Sequence, residues 1–165
     1  MTTTESKTSA LPGFQGVVAS PDLERNLQKV LVDLTALHLE GKQAHWNIVG
    51  ANFRDLHLQL DELIDTARDH ADTIAERMRA LYAVPDGRPT TVAQTTSLPL
   101  QPAGEIDTTA ATNNMAELAR RTAATARAVH DAVDAEDPTT ADLLHEIIHD
   151  LEKQAWLIGS ENRRV

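Results

Sequence analysis

From Leu23 to Ile158 apolar residues recur at steps of three and four, the period of a helix packed on one face. Leu23, Leu27, Val30, Leu31 and Leu34 make the first stripe, which His38 and His45 extend. Ser20-Pro21, followed by Asp22 and Glu24, supplies the start of that helix, and Gly50 stops it after about Asn47. Phe53 to Leu81 contains no Gly or Pro and carries a second stripe of Leu56, Leu60, Leu63, Ile64, Ala67, Ala71, Ile74 and Met78, with Asn52 placed to cap it. Between Ala83 and Asp107 the residues Pro85, Gly87, Pro89, Pro99, Pro102 and Gly104 leave room only for a short helical turn near Thr91–Gln94. Two further helices are expected at about Thr109–Val133 and Pro138–Asn162, joined by Asp134–Pro138. The last keeps Leu144, Ile147, Ile148, Leu151, Ala155 and Ile158 near one face.

This layout of hairpin, long crossover and hairpin predicts an all-α fold. It is the connection of a ferritin-like four-helix bundle with a long central crossover carrying a short helix. The bundle is expected over 20–162, with an extended arm at 1–19 and a short tail at 163–165. At 165 residues the chain reads as one domain, and 3% aromatic content suits helix packing better than a sheet sandwich. No cysteine is present, so disulfides and thiolate metal sites are excluded and imidazole and carboxylate remain as strong ligands. No apolar run approaches a membrane span and the polar opening lacks a secretory pattern, so a cytoplasmic location is expected. A net charge of −10 repels phosphate backbones and draws cations into any enclosed space lined by the same acids.

The chemistry concentrates in the first hairpin. His57/Asp61 and Asp72/Glu76 are two i,i+4 pairs on one helix. At about 100° per residue, with His57 as zero, Asp61 falls at about 40°, Asp72 at about 60° and Glu76 at about 100°, one narrow stripe. The eleven residues from Asp61 to Asp72 nevertheless span about 16 Å, so no single metal touches both pairs. A second copy running antiparallel across a two-fold axis between Thr66 and Ala67 would set each pair opposite the other. Two equivalent sites per dimer are thus expected, with His45 joining from the first helix. Paired imidazoles select a transition metal over Mg or Ca, and hard carboxylates favour its oxidised state.

The segment KQAHWNIVGANFRDLHLQLDELIDTARDHADTIAERM carries H-W-N-x-x-G-x-x-F-x-x-x-H-x-x-x-D followed by DTIAER. It resembles the ferroxidase hairpin of the Dps family, the miniferritins, and of its actinobacterial branch most. The likeness runs along nearly the whole chain, including EKQAWLI near its end. The resemblance implies that His45, His57 and Asp61 are ligands from one subunit, and Asp72 and Glu76 those from its dyad mate. It further implies a hollow homododecamer with dinuclear iron sites on its inner wall. There Fe(II) is oxidised, preferentially by hydrogen peroxide, and passes inward to a ferric oxyhydroxide core. Lys42 and Trp46 match positions beside that site. Acids near the start of the last helix line entry pores in the family. Asp142 matches that pattern better than Asp137, whose simpler role is to complement the helix dipole.

Other residues read more plainly. Asp65 and Asp69 are expected as exposed charges, His38 as a buried hydrogen-bonded histidine and His70 as surface. Glu146 and His149 are expected to be solvated, and Trp156 to pack on the bundle. The alternative function is that of a DNA-compacting, nucleoid-associated protein. Lys7 balanced by Glu5 in the arm, and Arg163 and Arg164 at the other end, supply little charge for it.

Overall fold

The computed structural model describes residues 16–163; most of the expected arm, and 164–165 of the tail, lie outside them. Four long helices, α1 (Pro21–Asn47), α2 (Phe53–Ala80), α4 (Thr108–Glu136) and α5 (Pro138–Ser160), form an all-α bundle of the ferritin-like kind. A short α3 (Pro89–Thr95) rides on the crossover. Each long helix packs on two neighbours: α1 on α2 and α4, and α5 on α2 and α4. Their inner faces bury Leu27, Val30, Leu34, Leu37, Leu60, Leu63, Ile64, Ile74, Met78, Met115, Leu144 and Leu151 completely or nearly so. Among the described residues, no helix is long and apolar enough to cross a membrane.

The ends of the helices follow from local chemistry. The Ser20 hydroxyl accepts from the Leu23 amide at 3.1 Å, and Pro21 takes the first helical position, where its missing N–H costs nothing. α2 ends where Tyr82 turns left-handed at φ 64°, before Pro85. Asn52 departs from its expected role: it sits at the start of α2 in a left-handed conformation, but its amide donates to Glu161 and leaves the helix amides uncapped. α4 runs to Glu136, one turn further than expected, because nothing before Pro138 interrupts it.

The crossover is fastened along α1. Buried Asp33 accepts from the Thr96 hydroxyl at 2.8 Å, the Ser97 amide at 2.8 Å, the Ser97 hydroxyl at 2.6 Å and the Thr125 hydroxyl at 2.7 Å. Gln28 and the Asp86 backbone exchange bonds of 2.8 and 2.9 Å, and Glu40 accepts from the Gln101 amide at 2.6 Å. A two-residue parallel ladder, β1 (Ile48–Val49) on β2 (Ile106–Asp107), ties the α1–α2 turn to the start of α4. The turn that carries the first hairpin is therefore held from a second direction.

α1 packs tightly on α2 at Gly41, where a Cβ would meet Ile64 Cγ1 at 2.8 Å. One turn further along α1 lies His45. Gly41→Ala is expected to lower stability by about 1–3 kcal/mol through overpacking, measured by thermal unfolding at matched protein concentration. A neutral result would mean that Ile64 relaxes freely.

Candidate metal centre

His45 is on the last turn of α1 and His57 at the start of the second turn of α2. The hairpin between them folds the two helices together and stacks the two rings, with centroids 3.6 Å apart and planes 25° from parallel. Phe53 closes the stack on the His57 side at 5.3 Å. The rings are cross-braced by backbone. His45 Nδ1 lies 3.1 Å from the His57 carbonyl oxygen, and His57 Nδ1 lies 3.1 Å from the His45 carbonyl oxygen. A carbonyl can only accept, so each Nδ1 carries the proton and each Nε2 keeps a free lone pair.

Asp61, one turn along α2 from His57, completes a group whose ligand atoms all lie within 4.8 Å of one another. Its Oδ1 is 2.7 Å from Lys42 Nζ and 3.3 Å from His45 Nδ1. The Lys42 ammonium holds the Asp61 carboxyl below the usual carboxylate range. Burial pushes His45 below its ordinary value, against the pull of Asp61. Both shifts favour the forms that bind a cation, neutral imidazole at His45 and ionised carboxylate at Asp61.

Asp72 and Glu76, about 16 Å and more along α2 from Asp61, stay out of that group. Both are exposed, and neither pairs with a cation among the described residues. Asp72 borders a shallow groove with Leu31, Arg68, Asp69, Ala71 and Ala75. Asp65 and Asp69 are exposed and share Arg68, at 3.1 and 3.5 Å. Trp46, beside His45, is 71% exposed, an unusual state for an indole. Trp156, expected to pack on the bundle, is 61% exposed on α5.

The two acids near the start of α5 differ. Asp142 is exposed, whereas Asp137 is 3% exposed and bound by Arg77 at 2.6 Å and by the Thr140 hydroxyl. A carboxylate so engaged is not a free acid for a pore. His70 also departs from expectation: its Nε2 lies 3.0 Å from Asp150 Oδ2, making a half-buried tie between α2 and α5. His38, expected to be buried and hydrogen-bonded, is half-buried, and its Nδ1 meets no hydrogen-bond partner among the described residues. Glu146 and His149 are exposed. The groups that fix the two histidine tautomers were invisible beforehand because they are backbone carbonyls, which every residue has.

A ferritin-like domain model matches residues 24–164. DNA protection during starvation protein 2 of Deinococcus radiodurans is 36% identical over 137 residues, covering 79% of this chain. The chain spans only 54% of that relative's length. The corresponding protein of Agrobacterium fabrum is 34% identical over 136 residues, covering 80% of this chain and 82% of its own. Among solved structures, Dps92 from Deinococcus radiodurans superposes with a TM-score of 0.84 at 32% identity, over 88% of this chain and 90% of that one. Dps from Microbacterium arborescens in its high-iron form gives 0.81 at 32% identity, over 88% and 98%. With the domain model matched over most of its length and the bundle shared with these structures, the chain belongs to the ferritin-like family and, within it, to Dps.

Proposed function

We propose that the chain is an iron-oxidising, iron-storing miniferritin whose dinuclear sites form between two copies. Family membership carries the coarse reading of iron storage and protection. The finer reading rests on one observation: three ligands are gathered within 4.8 Å on one hairpin, while two unpaired acids stand exposed beyond their reach. A head-to-tail partner brings its Asp72 and Glu76 to the His45, His57 and Asp61 of the first chain. Twelve such chains would enclose the store.

In this reading Lys42 occupies Asp61 until iron arrives, keeping the carboxylate ionised and in place, and then yields as the like charge of Fe(II) displaces it. His45 and His57 present Nε2 because their Nδ1 protons are held by each other's carbonyls. Carboxylates from both chains favour the ferric state, so oxidation proceeds toward release and storage. Two Fe(II) lose one electron each, and both electrons go to the O–O bond of hydrogen peroxide. With two waters, the products are two ferric oxyhydroxide units and four protons. Delivery of electrons in pairs avoids freeing a hydroxyl radical, which protects nearby DNA without touching it.

Direct DNA binding is the second reading, favoured by the names of the relatives. Against it, the net charge is −10, and Arg25, Arg68, Arg77, Arg88, Arg121 and Arg127 each already pair with an acid of this chain, which weakens their pull on phosphates.

The test is anaerobic loading with Fe(II), then stoichiometric peroxide, with ferric absorbance and particle size followed together. Rapid oxidation with iron retained in a soluble particle is expected. Oxidation no faster than in protein-free buffer, or prompt precipitation, would overturn the reading.

A further inference from the structure

The α4–α5 hairpin repeats the histidine arrangement of the α1–α2 hairpin, although the sequence motif of the first has no counterpart there. His130, near the carboxyl end of α4, stacks on His145 of α5 with centroids 4.3 Å apart and planes 30° from parallel. As in the first hairpin, each ring has an acceptor near Nδ1. Asp131 Oδ1 is 3.1 Å from His130 Nδ1, and Asp142 Oδ1 is 3.8 Å from His145 Nδ1. The Asp131 hydrogen bond places the His130 proton on Nδ1 and leaves its Nε2 lone pair available, whereas Asp142 stands beyond hydrogen-bond distance and supplies only negative charge beside His145.

His130 Nε2 is buried and has no hydrogen-bond partner. An orphaned polar atom costs about 1–3 kcal/mol, so it points to a group that completes it. Its stacking partner is able to move: the His145 side chain is 63% exposed, while that of His130 is 19% exposed. A shared ion requires His145 to turn one ring nitrogen toward His130 Nε2, which its exposed position permits. Two imidazoles beside carboxylates suit a divalent first-row transition metal over Mg and Ca, which prefer an all-oxygen shell.

We infer that His130 and His145 form a second metal site, which takes one divalent ion of the Zn(II), Co(II) or Fe(II) class through their Nε2 atoms. Asp131 orients the His130 ring, Asp142 adds negative charge beside His145, and water completes the coordination. The ion clamps α4 to α5 near their turn and stands apart from the hairpin that carries His45 and His57. This assigns Asp142 a partner within its own chain.

The assembled protein is titrated with Zn(II) by calorimetry and, separately, with Co(II) while the visible absorption of imidazole-bound cobalt is recorded. His145→Ala, at an exposed position, is expected to lose one ion per chain relative to wild type and the corresponding cobalt band. His149→Ala, which removes an exposed histidine outside the stack, is expected to keep both. The same loss is expected in a His57→Ala background, where the first hairpin no longer competes. Equal stoichiometry in wild type and His145→Ala, or equal loss in His149→Ala, overturns the site. His130→Gln supplies the second variant: if Zn(II) uptake survives it as well, no role is left for the stack.

Discussion

Chains carrying His57→Ala, refolded in equal amounts with chains carrying Asp72→Ala and Glu76→Ala together, are expected to recover about a quarter of the wild-type rate of peroxide-dependent Fe(II) oxidation. Each variant alone should fall by at least about 100-fold, since loss of a direct ligand exceeds the 10–100-fold that outer contacts cost. The recovery follows from geometry. A site works only when its imidazole half comes from a chain with His57 and its acid half from a chain with Asp72 and Glu76. Random pairing satisfies both conditions in about a quarter of the sites, each condition being met half the time. Were both halves donated by one chain, no mixture could contain an intact site, and the mixed sample would stay as slow as its parents. Stopped-flow ferric absorbance on size-matched assemblies measures this. A mixed sample no faster than the two variants kept separate would remove the shared-site proposal while leaving the fold untouched.

The fold was legible because its punctuation is strong. The absence of Gly and Pro across α2, the proline-rich crossover and Pro21 and Pro138 at helix starts mark the elements within a few residues. The residues brought together in the first hairpin were legible for the same reason: i,i+4 spacing fixes which side chains share a stripe, and a tight turn fixes which helices face each other. What the helical period cannot supply is the identity of a neighbour on another helix. His70 reads as surface in the sequence because its partner Asp150 lies 80 positions along the chain. Asp137 looked like an ordinary dipole-complementing acid until α2 brought Arg77 against it from 60 positions away. The β1–β2 ladder is two residues long and joins distant segments, too little pattern to read in advance. His130 and His145 gave no local motif either, because their meeting depends on how α4 and α5 are phased across the turn.

Arg77→Ala is expected to destabilise the folded chain by about 3–5 kcal/mol near neutral pH, the largest stability loss foreseen for one substitution. Arg77 Nη2 bonds Asp137 Oδ2 at 2.6 Å, and Arg77 Nε bonds the Thr140 hydroxyl at 2.8 Å, where α2 meets the first turn of α5. The Asp137 side chain is 4% exposed, so deleting the guanidinium strands a buried negative charge. Burial pushes the Asp137 carboxyl up, but the Thr140 hydroxyl and the Arg77 guanidinium outweigh it and hold the group below its ordinary value of 3.8. A depressed folded value means that the native state binds this proton less readily than the unfolded chain. The contribution is therefore complete above the unfolded value of 3.8 and is lost as pH falls below it, through the folded value. In Arg77→Ala the upward push of burial is opposed only by the Thr140 hydroxyl and the Thr139 amide, so acid neutralises the stranded charge more readily and relieves part of the penalty. The gap between wild type and variant should narrow as pH drops from 7 toward 3, read as unfolding midpoints at matched protein concentration. Asp137→Asn, which removes the charge and keeps the shape, should cost less than Arg77→Ala and show little of this pH dependence. A gap that stays constant across the acid range would mean that Arg77 acts through packing of its aliphatic stem and not through the pair.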